Sequence, residues 1–116
     1  MVGIVLISHS QKAAEGAVEL ARMMAPDAPI AAAGGLEDGS LGTSFEKITA
    51  AVEAVDQGDG VACIMDMGAE SLDDRQIQLL DCPFVEGAVI AAIEAVGGTP
   101  LAAMQDKVEA SRDRKL

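Results

Sequence analysis

The chain has 116 residues, half of them hydrophobic, and eight basic against nineteen acidic residues give a formal net charge of −11. That length makes one domain with a real core, and so acidic a surface repels phosphate backbones and anionic membranes, which argues against nucleic acid as a partner. With two phenylalanines and no Trp or Tyr, the core must be built from Val, Ile, Leu, Met and Ala, a composition suited to buried parallel strands under Ala-rich helices.

Val2 to Ile7 is a short apolar run rich in β-branched residues and is expected as a fully buried strand. No basic region precedes it and no stretch approaches roughly 18 apolar residues, so neither a signal peptide nor a membrane span is expected, and the expected location is cytoplasmic. Ser8-His9-Ser10 follows, and Gln11 to Ala25 places Ala14, Ala17, Val18, Ala21 and Met24 at helical spacing until Pro26. Ile30 to Ala33 is a second short strand closed by Gly34-Gly35, and Leu36 to Gly42 is a loop with turn residues. Thr43-Ser44-Phe45-Glu46 has the form of a capping box headed by Thr43, opening a helix to Val55 with Phe45, Ile48, Val52 and Val55 on one face. Val61 to Met65 is a third buried strand ending at Asp66-Met67-Gly68. This alternation predicts a doubly wound α/β fold with a mainly parallel sheet and right-handed crossovers.

The second half is less regular. Ile77 to Leu80 is a candidate fourth strand, and Val85 to Val96 a helix closed by Gly97-Gly98. Thr99-Pro100 reads as an N-cap followed by Pro at the first helical position. The last helix is expected over Leu101 to Ala110, so the domain spans 1–110 and 111–116 is a charged tail. Only Ala69 to Arg75 remain to connect the third and fourth strands, whereas a parallel crossover usually takes about a dozen residues or more. The path of the fourth strand is therefore open. Cys63 sits in an apolar run and reads as a small core hydrophobe, and with no CxxC both it and Cys82 suit a reduced compartment.

In open α/β sheets chemistry collects at the carboxyl ends of strands. His9, the only histidine, falls there after the first strand, and Asp66 after the third. A doubly wound order makes those strands neighbours. An Asp beside a His accepts one ring N–H, fixes the tautomer and leaves the other nitrogen as a nucleophile. Ser10 and Gln11 open a helix whose free amides and dipole favour an anion, and Gly68 lets backbone approach the same spot. These loops at the strand ends hold no Lys or Arg and no metal-ligand spacing, and no nucleotide-binding motif occurs. A lone loop histidine is more often only solvated, and Asp66 equally suits a turn or an N-cap. Phosphoryl transfer through a phosphohistidine needs no more than this pair and positioning, with no metal or cofactor.

Four stretches carry a resemblance: GIVLISHSQKAAEGAVELARMMAP (Gly3 to Pro26), AAAGGLEDGSLGTSFEKI (Ala31 to Ile48), DMG (Asp66 to Gly68) and CPFVEGAVIAAIEA (Cys82 to Ala95). In this order they resemble the phosphotransferase subunit of the phosphoenolpyruvate-dependent dihydroxyacetone kinase, whose domain is similar to mannose-type enzyme IIA of the sugar phosphotransferase system. The resemblance implies a flavodoxin-like sheet and a homodimer. It also implies a histidine phosphorylated by the histidine-containing phosphocarrier protein, with the group passed to ADP in the nucleotide-binding kinase subunit. On it, His9 matches the phosphorylated histidine and Asp66 its carboxylate partner. Gly42-Thr43-Ser44 and Val85-Glu86-Gly87-Ala88 point to the dihydroxyacetone type over the mannose type. Ser10, Gln11, Thr43, Gly68 and Ala69 are the candidate phosphate-binding residues.

Two departures stand out. Ala69 replaces a Ser of the family pattern, removing a hydrogen bond of about 1 kcal/mol unless Ser71 substitutes. The helix between the third and fourth strands is shorter by roughly three turns, which would bare sheet surface for a second subunit to cover. The alternatives are a mannose-type sugar phosphotransferase component with the same chemistry and a non-catalytic regulatory module of the same fold.

Overall fold

The computed structural model describes residues 1–67 and 77–112. Strand β1 (Gly3–Ser8) leads through helix α1 (Gln11–Met24) to β2 (Ile30–Gly34), and α2 (Phe45–Val55) leads to β3 (Val61–Met65). Strand β4 (Ile77–Leu80), α3 (Phe84–Val96), α4 (Leu101–Val108) and a 3-10 turn (Glu109–Arg112) complete the chain. The four strands form one sheet in the order β2-β1-β3-β4, with every pair parallel. The doubly wound α/β expectation is met, and the open question of the fourth strand is answered: it pairs with β3, Val61 opposite Ile77 and Ile64 opposite Leu80. Gly68, Ala69, Ser71 and the shortened connection lie outside the described residues, and so does the basis for expecting a second subunit there.

Side chains alternate across a strand, and here both faces are buried. Ile4 and Leu6 of β1, Ala62 and Ile64 of β3 and Leu80 of β4 join a core with α1, α3 and α4. Val5, Ile7, Val61 and Cys63 face the other way, toward α2. Because neither face is wet, the strands read as continuous apolar runs without polar alternation. Full burial of Ile4, Leu6 and Ile64 contributes about 1.5–3 kcal/mol each. The helices meet this sheet with Ala14, Ala17 and Ala21 of α1 and Ala88, Ala91, Ala92 and Ala95 of α3. Burial pushes the Cys63 thiol up to about 12, and burial followed by the charge of Asp81 pushes Cys82 up to about 11. Both thiols stay protonated and unreactive at neutral pH.

Several local expectations are corrected. The N-cap of α2 is Ser44, whose hydroxyl accepts from the Lys47 amide, in place of Thr43. Phe45, expected in the core stripe, is 76 % exposed, whereas Ala51 and Val55 are buried and Ile48 and Val52 pack beside them. Thr99 does not cap α4: its hydroxyl donates to Glu94 Oε1 at 2.7 Å, and Pro100 occupies the cap position. Regular structure runs past Ala110 to Arg112, with Ser111 buried. Among the described residues no helix is long and apolar enough to cross a membrane.

The close seating of α1 on the sheet depends on Gly34. A Cβ there would lie 2.6 Å from the Ser10 carbonyl oxygen, 2.8 Å from Gln11 Cα and 2.9 Å from Ala14 Cβ. Backbone atoms cannot give way locally, so Gly34→Ala is expected to lift the start of α1 and to destabilise the protein by about 1–3 kcal/mol. Denaturant unfolding reads this out, and wild-type stability in the variant would contradict the seating.

Candidate functional site

The site forms where β1 and β3 end side by side. Ile7 pairs with Met65, and the Asp66 amide continues the ladder to the Ile7 carbonyl at 3.1 Å. This adjacency carries Asp66 to His9: its Oδ1 lies 3.1 Å from His9 Nδ1. A carboxylate can only accept, so Nδ1 carries the proton and Nε2 keeps its lone pair, an assignment made from the hydrogen-bond network.

Three further donors converge on the same carboxylate. The Met67 amide donates to Oδ1 at 2.8 Å, the Ser8 hydroxyl to Oδ2 at 2.7 Å and the His9 amide to Oδ2 at 3.2 Å. Partial burial is the largest single influence on Asp66 and pushes its pKa up. The donors from Ser8, His9 and Met67 together outweigh it, and the carboxyl titrates below its ordinary value. The His9 side chain is 37 % exposed and Asp66 23 %, so the ring is open to a protein partner while its orienting acid is sheltered.

Helix α1 begins directly after the histidine. The Ser10 hydroxyl accepts from the Ala13 amide at 3.2 Å, while the Ser10 amide donates to Ser8 Oγ at 3.0 Å. Ser10 is thus occupied twice within the protein, and its amide is not one of the free donors expected for an anion. Among the described residues, the Gln11 and Lys12 amides remain as first-turn donors without a protein acceptor. The Gln11 side chain runs along the helix toward Glu15, 3.4 Å away.

The loop 35–44 closes over the other side of the histidine. The Gly35 amide donates to the Ser8 carbonyl at 3.2 Å and the Gly42 amide to the His9 carbonyl at 2.8 Å. Asp38 ties the loop to itself by accepting from the Ser40 hydroxyl and amide, and these bonds hold its carboxyl below the ordinary value. Thr43 follows Gly42 in this wall and makes no hydrogen bond among the described residues. Leu41, next in the chain to Gly42, is 77 % exposed, and Met67, next to Asp66, is also exposed, so large apolar side chains adjoin the residues that hold His9.

Two participants were missed in the sequence. The strand expected to end at Ile7 runs one residue further, to Ser8, which lies on the same side of the sheet as Ile4 and Leu6. The available signal was that parity, since a buried hydroxyl must find a partner. Lys47 brings a cation to the strand ends although the loops after β1 and β2 hold none: its Nζ donates to the Gly34 carbonyl at 3.0 Å, and Gly34 is the register partner of Ser8. Among the described residues no cluster of side chains could hold a metal ion.

The chain as a whole is similar to known proteins. Residues 3–105 match the EIIA-man family, described as PTS system fructose IIA component. The chain is 36 % identical over 100 residues to the phosphoryl donor subunit DhaM of PEP-dependent dihydroxyacetone kinase 1 from Listeria innocua, covering 79 % of this chain and 80 % of that one. It is 30 % identical over 115 residues to the phosphotransferase subunit DhaM of the PTS-dependent dihydroxyacetone kinase of Lactococcus lactis, covering 92 % and 93 %. The Escherichia coli DhaM is 33 % identical over 117 residues, and the matched part is 25 % of that longer protein. Among solved structures, a crystal structure of an unknown function protein, EF1359, superposes with a TM-score of 0.80 at 27 % identity over 95 % of this chain and 94 % of that one. The chain belongs to the EIIA-man family, and within it to the DhaM phosphoryl donor subunits of PEP-dependent dihydroxyacetone kinases.

Proposed function

We propose that His9 accepts a phosphoryl group on Nε2 from the histidine-containing phosphocarrier protein and passes it to ADP held in the nucleotide-binding subunit of the dihydroxyacetone kinase. The observation that carries this reading is the 3.1 Å contact between Asp66 Oδ1 and His9 Nδ1, with the carboxylate held by Ser8 and two backbone amides. In the first step the Nε2 lone pair attacks phosphorus. The new N–P bond forms as the carrier's N–P bond breaks, and that electron pair returns to the carrier's nitrogen. In the second step a β-phosphate oxygen of ADP attacks, the His9 N–P bond breaks toward Nε2, and ATP results. Asp66 offsets the positive charge that grows on the ring while Nε2 is bonded to phosphorus.

The surroundings suit protein partners better than a small substrate. Leu41, Phe45 and Met67 expose large apolar side chains, and Phe45 lines a surface cleft with acidic Glu37, Asp38 and Glu46. A partner with an apolar face and a cationic edge complements that surface. Phosphorylation adds roughly −1.5 to −2 charges to a chain already at −11, so the partner is also the natural source of the balancing cation. Incubation with phosphoenolpyruvate and the general phosphotransferase proteins is expected to raise the intact mass by one phosphoryl group. Adding the nucleotide-binding subunit with ADP should discharge it, and transfer should slow as salt is raised. A chain that stays unmodified under conditions that load another enzyme IIA would refute the reading and favour a regulatory module.

A further inference from the structure

The chain buries two polar side chains among its described residues, Ser8 and Ser111. Ser111 bonds locally, to the Val108 carbonyl at 2.6 Å. Ser8 instead reaches across the sheet to a residue far along the chain, Asp66 Oδ2, at 2.7 Å. We propose that Ser8 is the positioning residue of the site: it decides which nitrogen of His9 is the nucleophile by locking the orientation of Asp66. The catalytic consequence rests on the phosphohistidine reading given above.

The direction of the Ser8 hydroxyl is fixed by its neighbours. The Ser10 amide can only donate, and it approaches Oγ at 3.0 Å. The carboxylate can only accept. The hydroxyl proton must therefore point at Asp66, and the chain of bonds runs one way, from the Ser10 amide through Ser8 to Oδ2. The opposite oxygen, Oδ1, is then turned to His9 Nδ1. Apart from the His9 ring, Ser8 is the only side chain bonded to this carboxylate among the described residues. The other two donors, the His9 and Met67 amides, lie at or beyond the strand ends. Ser8 is paired in the ladder with Gly34 and fully buried, so it is the rigid part of the seat.

Without the hydroxyl, Oδ2 loses its sheltered donor and the Ser10 amide loses its acceptor. The carboxylate is then free to turn from the ring, and the imidazole can carry its proton on either nitrogen. Protein with the proton on Nε2 has no lone pair where phosphorus must arrive. Ser8→Ala should leave carrier docking intact, because Ser8 is buried, and should lower the turnover term by about tenfold.

The test compares wild type, Ser8→Ala and Ser8→Thr, each labelled with 15N, unphosphorylated and in alkaline solution. Ring nitrogen shifts report the tautomer, and a parallel assay measures kcat and KM for transfer from the phosphorylated carrier. Wild type is expected to show the Nδ1–H form alone, Ser8→Ala a mixture with lower kcat and unchanged KM, and Ser8→Thr a return of both toward wild type. A Ser8→Ala protein that keeps the single Nδ1–H form would overturn the proposal. So would a loss of rate in both variants with the tautomer unaltered, which is the mark of a merely structural role. The tautomer is read without any partner. If wild type took no phosphoryl group, the functional reading would fail while the hold of Ser8 on the ring was still decided by the spectra.

Discussion

Replacing His9 by Ala is expected to abolish phosphoryl uptake while leaving the fold intact. His9 is the only histidine in the chain, and its ring is held at Nδ1 and open at the other nitrogen. Its side chain is 37 % exposed, so truncation creates no buried cavity. Asp66 would keep its bonds to Ser8 and to the His9 and Met67 amides. The hydroxyls flanking His9 in the chain offer no substitute nucleophile: Ser8 donates to Asp66, and Ser10 caps the Ala13 amide. The measurement is the intact mass after incubation with phosphoenolpyruvate and the general phosphotransferase proteins. The wild-type adduct should be a phosphoramidate, stable in alkali and lost in acid. Full labelling of His9→Ala, or phosphate on Ser8, Ser10 or Thr43, would contradict the assignment.

Asp66→Asn is expected to slow transfer by about 10²- to 10⁴-fold with the fold retained. The carboxylate accepts two donors on each oxygen: His9 Nδ1 and the Met67 amide on Oδ1, the Ser8 hydroxyl and the His9 amide on Oδ2. An amide must put its NH2 on one side. On the Oδ2 side it would face both the Ser8 hydroxyl and the His9 amide. On the Oδ1 side it faces the Met67 amide and a ring nitrogen that can become an acceptor by moving its proton to Nε2. The second orientation leaves fewer donors opposed, so the substitution should drive the ring into the unreactive tautomer. The Asp66 pKa is depressed in the folded state, and its contribution to stability is therefore fully present above the ordinary carboxylate range and lost as pH falls through the depressed value. The stability gap between wild type and Asp66→Asn should accordingly narrow in acid. Transfer at the wild-type rate in Asp66→Asn would remove the carboxylate from the mechanism.

The parts of this protein that could be read in the sequence are those where one physical rule dominates. Strands buried on both faces leave continuous apolar runs, which is why β3 (Val61–Met65) and β4 (Ile77–Leu80) fall on the expected residues. The adjacency of β1 and β3 follows from topology alone and brings His9 to Asp66. Where two rules compete, a sequence does not say which prevails. Thr43 and Ser44 are both good caps, and Ser44 takes the role while its hydroxyl also donates to Glu37 at 2.9 Å. Phe45 fits the helical stripe of Ile48, Val52 and Val55 but sits in the first turn, and periodicity does not report where a stripe leaves its support. A shift of one residue in β1 decided whether Ser8 belonged to a loop or to the core. Lys47 was invisible for a similar reason, since its reach to Gly34 depends on how α2 lies across β2.

The two faces of the sheet differ in how firmly they are covered, and this bears on how the protein yields when approached. One core is shared by α1, α3 and α4, whereas the other takes its helix residues from α2 alone. Local opening follows the less firmly packed unit, and of the two faces that is the one covered by α2 with the loop in front of it. That loop bears Leu41 and leads into Phe45 at the start of α2, while Ser8, Asp66 and the start of α1 are anchored in the β1–β3 ladder and the larger core. The molecule can therefore breathe on the side that a partner meets and stay rigid on the side that holds the nucleophile. Native-state hydrogen exchange should show lower protection for the amides of α2 than for those of β1. Give toward an approaching surface and a firm hold on one imidazole are thus assigned to different parts of the same small fold.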